Sequence, residues 1–181
     1  MGGQRYLVAL GSNRRHPRLG PPEAVLRAAF EALDGEGIRL EATSRIIASA
    51  PLGPSRRRYA NAAAILRTGL DPPALLAHLH RIEHQFGRRR RGARWGARVL
   101  DLDIILWEVG AWSSQDLVVP HIAFRARGFV LDPAARIAPG WRDPLTGLAL
   151  RHLRARLTRP RPAPTPSPAR ALSSVGRATD F

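Results

Sequence analysis

Asp101 and Asp103 stand two residues apart in the apolar run Val99–Trp107, and Arg88, Arg89, Arg90, Arg91, Arg94 and Arg98 come just before them. The run is β-branched and aromatic enough to be a strand. Strand side chains alternate faces, so both carboxylates share one face, with Ile105 and Trp107 expected beside them and Leu100, Leu102 and Ile104 on the other. At the usual rise per residue, the two aspartates are about 6.6 Å apart along the backbone. Like charges so placed are costly unless something positive lies over them. Arginine and Mg²⁺ are the candidates, and the spacing suits hard divalent cations of the kind that sit about 3.5–4 Å apart in two-metal sites. A phosphate-rich ligand would balance the charge of arginine and metal together. The ordinary alternative is a pair of solvated acids on an open sheet face; the apolar neighbours and the arginine block argue against it.

The chain that must position these groups has 181 residues, which suits one domain with a real core. It has no cysteine, which excludes thiolate metal sites, thiol nucleophiles and disulfides. No segment reaches the length of a membrane span and no signal-peptide pattern opens the chain, so a cytoplasmic protein is expected. The formal charge is +15, from 29 basic residues against 14 acidic ones, and every one of the 29 is arginine. Arginine forks onto phosphate oxygens, although its complete replacement of lysine also fits a genome-wide codon bias. A nucleic-acid-binding module is the rival class, but no basic helix face or exposed aromatic interleaving marks one.

Arg5–Leu10 reads as a first strand that ends in the turn Gly11-Ser12-Asn13. A helix follows from Pro21 and Pro22 to about Leu33, with Val25, Leu26, Ala29, Phe30 and Leu33 on its apolar side, and Gly35 and Gly37 stop it. Ile38–Ala48 is expected as a second strand and Ala60–Thr68 as a third, joined by the Pro/Gly/Arg-rich loop Ser49–Arg58. Asp71 caps a second helix with Pro72 at its first position and Leu75, Leu76, Leu79, Ile82 and Phe86 as its buried stripe. After the arginine loop and the aspartate strand come a short extended segment, Leu117–Val119, and helices over Phe124–Ala135 and Leu148–Leu157. The order is the βαββαβ pattern of a ferredoxin-like α+β sandwich with added C-terminal elements. Residues 1–157 form the expected domain, and the alternating prolines of 158–181 mark a disordered tail.

With those elements in view, the chain resembles the 6-hydroxymethyl-7,8-dihydropterin pyrophosphokinase family over roughly residues 4 to 157. The resemblance rests on Ala9-Leu10-Gly11-Ser12-Asn13, Pro51-Leu52-Gly53-Pro54, Tyr59-Ala60-Asn61-Ala62, Ile82-Glu83 and Gly87-Arg88 with Arg90. It continues through Arg94-Trp95-Gly96 with Arg98 and Leu100-Asp101-Leu102-Asp103-Ile104, then Val119-Pro120-His121 and Arg127-Gly128-Phe129-Val130-Leu131. The tryptophan–aspartate block is the specific part; the glycine turns alone would be weak.

The resemblance implies a ferredoxin-like fold, ATP as co-substrate, two Mg²⁺ ions and transfer of a diphosphate to a pterin alcohol with release of AMP, in tetrahydrofolate biosynthesis. It implies that Asp101 and Asp103 hold both metals and that Arg88 and Arg98 clamp the triphosphate, these four being the catalytic set. Glu83, Arg90, Arg91, Trp95, Ile104, His121 and Arg127 would complete the ATP site. His121 would donate to a phosphate oxygen, where by itself it reads as a solvated loop histidine. Glu83 alone would read as a surface residue. Tyr59 and Phe129 would stack on the pterin, Asn61 would read its edge, Ser49 and Leu52 would touch the same edge, and Trp95 would lie between the substrates. A monomer is expected, with small-molecule substrates and neither a membrane nor a specific nucleic acid as partner. An inactive pterin-binding relative stays as a further alternative. The chain departs from the family at Ser55-Arg56-Arg57-Arg58, where relatives carry acidic or Gln/Pro residues in a closing loop, and at Ala50, Ala97 and Ile122, where proline is frequent. None of these removes a charged or metal-binding group.

Overall fold

The computed structural model describes residues 3–49, 59–87 and 98–160. The expected loop after Ser49, the arginine block before Arg98 and the tail beyond residue 160 lie outside the described residues. The elements run β1 (Gln4–Ser12), α1 (Pro22–Ala32), β2 (Ile38–Thr43), β3 (Ile47–Ser49), β4 (Tyr59–Thr68), α2 (Pro72–Gln85) and β5 (Asp101–Trp107). After these come β6 (Trp112–Ser113), β7 (Val118–Val119), a single 3₁₀ turn (Phe124–Ala126), α3 (Gly128–Ile137) and α4 (Leu150–Thr158). The main sheet has the order β2-β4-β1-β5 with β3 also on β4, and every pairing is antiparallel. This is the expected ferredoxin-like α+β arrangement, with β5 at one edge.

Alternation along the central strands divides the core in two. Tyr6, Val8 and Leu10 of β1 and Ala60, Ala62, Ala64 and Leu66 of β4 face α1 and α2, together with Leu100, Leu102 and Ile104. Leu7, Ala9, Ala63 and Ile65 face the other way, against Phe124, α3 and α4. The α2 helix forms as expected: the Asp71 side chain accepts from Ala74 N at 2.9 Å, and Leu75, Leu79, Ile82 and Phe86 are buried. Gly35 and Gly37, with φ of +141° and +82°, turn the chain from α1 into β2. Among the described residues no helix is long and apolar enough to cross a membrane.

Three expectations need correction. The second strand is not continuous from Ile38 to Ala48. Ser44 N donates to Ala63 O, but the Ala63 N–H donates to the Ser44 hydroxyl, and this interruption separates β2 from β3. The helix expected over Phe124–Ala135 is broken at Arg127, which is extended (φ −113°, ψ 100°) and whose carbonyl starts α3 by accepting from Val130 and Leu131. Trp107 does not share the aspartate face. Val8 pairs with Ile104 but Leu7 with Leu106, so Ile105 is an extra residue in β5. The bulge keeps Ile105 on the aspartate side and returns Trp107 to the opposite side, where it stacks on Tyr6 at 6.2 Å between ring centroids.

Candidate active site

The aspartate face of the sheet carries a row of residues set by strand register. Asn61 of β4 pairs with Gly11 of β1, and Gly11 pairs with Asp101 of β5. The next row is Ala63, Ala9 and Asp103. An amide and a carboxylate therefore flank a glycine on one face, about 9.6 Å apart at their backbones for two strand spacings. Among the described residues, a Cβ placed on Gly11 would meet only Asn61 Oδ1 at 3.6 Å and Asp101 Cβ at 4.0 Å besides its chain neighbours. The floor between the two functional groups is bare backbone.

On the amide side, Asn61 Nδ2 donates to Ser49 Oγ at 2.8 Å. Ser49 pairs with Tyr59, and Tyr59 projects from β4 on the same face as Asn61. Phe129 lies in the first turn of α3, half-buried on the core beneath that face, with the Arg127 guanidinium 5.8 Å from its ring centre. Ser49, Tyr59, Asn61 and Phe129, the residues that the resemblance assigned to the pterin, lie on one side of the sheet. Leu52 lies outside the described residues.

On the carboxylate side, Arg98 Nη1 donates to Asp101 Oδ1 at 2.5 Å. Burial opposes the charge on Arg98, but the Asp101 carboxylate outweighs it and the guanidinium pKa rises. Arg98 is held by a residue that sequence reading treated only as a turn. Asn13 N donates to Arg98 O at 3.1 Å, and Arg98 N donates to Asn13 Oδ1 at 2.7 Å. Its signal was the position of an amide side chain directly after the first strand, where it can close a reciprocal pair with a distant loop. Asp103 has its pKa raised, first by burial and then by the charge of Asp101, against the opposing influence of His121, Arg127 and Arg98. Asp103 thus lies within electrostatic reach of His121, Arg127 and Arg98.

His121 is docked by its backbone: His121 N donates to the carbonyl of Ile105, the bulged residue, at 3.1 Å. Ala123 N donates to His121 Nδ1 at 3.2 Å, which leaves the proton of the neutral ring on Nε2. Burial lowers the His121 pKa, with Asp103 opposing and Arg127 adding to the effect, so the ring is neutral at neutral pH in the absence of further charge. Ile104 points into the core with α1 and α2. Glu83 is 1 % exposed, and its Oε1 accepts from Leu102 N at 2.8 Å, between the two aspartates. Its observed bond is to the strand that carries them. Replacing it with alanine strips a buried N–H of a charged acceptor; we expect Glu83→Ala to cost about 2 kcal/mol or more in urea unfolding. An unchanged urea midpoint would contradict that role. Arg88, Arg90, Arg91 and Trp95 lie outside the described residues. Away from this site, His78 is buried beside Arg81 and Glu36, and His16 Nδ1 accepts from its own turn.

Two carboxylates on one face suit Mg²⁺, which keeps several waters and takes only one or two protein carboxylates when phosphates supply the rest. The crowding of Asp101 on buried Asp103 is a charge imbalance that a cation relieves.

Comparison with known proteins is consistent with this geometry. Residues 7–139 match the family model described as 7,8-dihydro-6-hydroxymethylpterin-pyrophosphokinase. The 2-amino-4-hydroxy-6-hydroxymethyldihydropteridine pyrophosphokinase of Pseudomonas aeruginosa is 43 % identical over 143 residues, covering 78 % of this chain and 85 % of that protein. The protein of the same name from Pseudomonas putida is 44 % identical over 123 residues, covering 67 % of this chain and 98 % of its own length. Among solved structures, a Plasmodium falciparum HPPK-DHPS superposes with a TM-score of 0.66 at 10 % identity, over 85 % of this chain and 44 % of that one. That similarity concerns the fold, and this chain spans under half of the longer molecule. On the family match and the relatives together, the chain belongs to the 7,8-dihydro-6-hydroxymethylpterin pyrophosphokinase family.

Proposed function

We propose that the chain transfers diphosphate from ATP to the hydroxymethyl group of 6-hydroxymethyl-7,8-dihydropterin and releases AMP, a step of folate biosynthesis. The observation that supports the site assignment is the row Asn61–Gly11–Asp101, an amide and a carboxylate on one face with a glycine between them. Family membership supports the activity, and it lends nothing to a nucleic-acid-binding role or an inactive relative. Asn61 and Ser49 face the pyrimidine edge of the pterin, and Tyr59 and Phe129 offer faces for its ring. Asp101 and Asp103 would hold two Mg²⁺ ions, which would supply positive charge to offset that of the phosphates and Lewis acidity toward the attacking hydroxyl. The pterin hydroxyl oxygen forms a bond to the β-phosphorus and gives its proton to solvent, while the bond from that phosphorus to the AMP oxygen breaks and AMP leaves. Because such transfer relies on positioning and charge stabilisation, the protein's share is to hold donors where charge develops. Arg98 and Arg127 do so as cations, and His121 does so with its Nε2 proton. Arg88, Arg90, Arg91, Trp95 and Leu52 join the site by family resemblance. The same reading places the enzyme in the cytoplasm as a monomer.

The test is AMP release from purified protein with ATP and the pterin alcohol. AMP that forms only when the pterin and Mg²⁺ are both present supports the assignment; none, from folded protein that still binds ATP, overturns it. Within this reaction His121→Ala removes one donor to a phosphate oxygen. We expect kcat to fall roughly 10- to 100-fold, below or at the lower range for losing an oxyanion donor because the arginines remain. A steady-state assay returning an unchanged kcat would remove His121 from the mechanism.

A further inference from the structure

We propose that Arg125 and Asp143 form a latch that holds the His121–Arg127 segment against β5, which makes the turn at residues 142–147 a positioning element of the active site. The inference rests on the function proposed above, and Asp143 lies beyond residue 139, where the family match ends. Asp143 is fully buried and its carboxylate takes four donors: Arg125 Nε and Nη2, each at 2.7 Å, Thr146 Oγ1 at 2.5 Å and Leu145 N at 3.2 Å. The turn that presents it is closed by Asp143 N to Leu148 O and by Gly147 N to Asp143 O. Gly147 sits there at a φ of +69°. Leu150 N donates to Trp141 O, and Leu150 and Leu153 are buried with Phe124, so the turn is fixed to the same core as the segment it grips.

Arg125 lies four residues after His121 and two before Arg127. It forks onto Asp143 in the planar, two-bond geometry that fixes direction as well as distance, and its guanidinium lies 4.7 Å from the Phe124 ring centre. The two arginines of the segment therefore have separate tasks. Arg125 is neutralised inside the fold, whereas Arg127 and His121 act on Asp103. Rotation of the segment about Phe124 would move both groups relative to the carboxylates, and misplacement of about 1 Å can cost about 10²-fold in rate.

The test uses the full chain carrying Asp143→Asn, and separately the paired apolar replacement Arg125→Met with Asp143→Leu. Hydrogen exchange, thermal midpoint and steady-state rates are read on each. Asp143→Asn should speed exchange at the His121 and Ala123 amides about tenfold or more. It should lower kcat about 10- to 100-fold while the pterin KM moves less than about twofold, because Ser49, Tyr59 and Asn61 stand on β3 and β4, outside the latched segment. The apolar pair should recover the thermal midpoint, as replaced buried ion pairs often do, without recovering kcat. In an Arg127→Ala background, Asp143→Asn should change kcat much less. Unchanged exchange at those two amides, or a kcat that recovers along with the thermal midpoint, overturns the latch. If the unmodified protein releases no AMP, the proposed activity fails by itself, and the exchange measurement still decides the latch.

Discussion

Asp103→Asn should leave a folded protein that is all but inactive and, without metal, more heat-stable at neutral pH than the original. On the proposed function, in which Asp103 holds metal at the transferring phosphate, its loss should cost about 10³-fold or more in kcat. The stability gain follows from the sign of the shift. Burial and Asp101 raise the Asp103 pKa in the native state. Well below the usual carboxylate range, native and unfolded chains both carry the proton and the group contributes nothing. As pH rises through that range the unfolded chain ionises first, so native stability falls until the raised native value is passed and stays lower above it. Asparagine removes that penalty. Mg²⁺ should therefore raise the thermal midpoint of the original protein and leave the variant nearly unmoved. Melting both proteins with and without Mg²⁺, beside the AMP assay, checks the three statements together. Turnover at the original rate, or equal Mg²⁺ shifts in the two proteins, would refute the metal assignment.

Gly11→Leu should fold and lose more than about 100-fold in kcat/KM. Gly11 is not in the left-handed region, so no backbone strain requires glycine there. A first carbon fits at ordinary contact with Asn61 and Asp101, and Gly11→Ala should be as stable as the original or about 0.5–1 kcal/mol more stable through reduced chain entropy. The further carbons of leucine would stand in the gap between the pterin reader and the carboxylates, where the two substrates must meet. Thermal midpoints of both variants separate folding from function, and kcat/KM measures the obstruction. A Gly11→Leu enzyme with undiminished kcat/KM would show that the substrates do not cross this floor.

Much of this site was legible in the sequence because strand alternation is strict over short distances. Asp101 and Asp103 share a face, and Tyr59 and Asn61 share that same face, as period-two reading requires. The α2 helix was legible because its cap, its proline and its apolar stripe agree. What escaped has a common cause: single residues whose partners are distant in the chain. The bulge at Ile105 moves Trp107 across the sheet, and no local pattern announces an inserted strand residue. Ser44 interrupts a strand through a hydroxyl bond to β4. Glu83 reads as a polar helix position until Leu102 N is beside it. Arg127 is the exception: it breaks a helix whose apolar pattern continues through it, and the partners of its carbonyl, Val130 N and Leu131 N, are local.

The edge position of β5 has a consequence for the behaviour of the protein in solution. An edge strand offers unpaired backbone groups to any neighbouring chain, which is the usual route to aggregation. Two such groups on β5 are already taken, Leu102 N by Glu83 and Ile105 O by His121. The Glu83 side chain and the His121 backbone thus occupy two places where a foreign strand would add. On the proposed function, protection of this border and order at the site draw on the same two contacts.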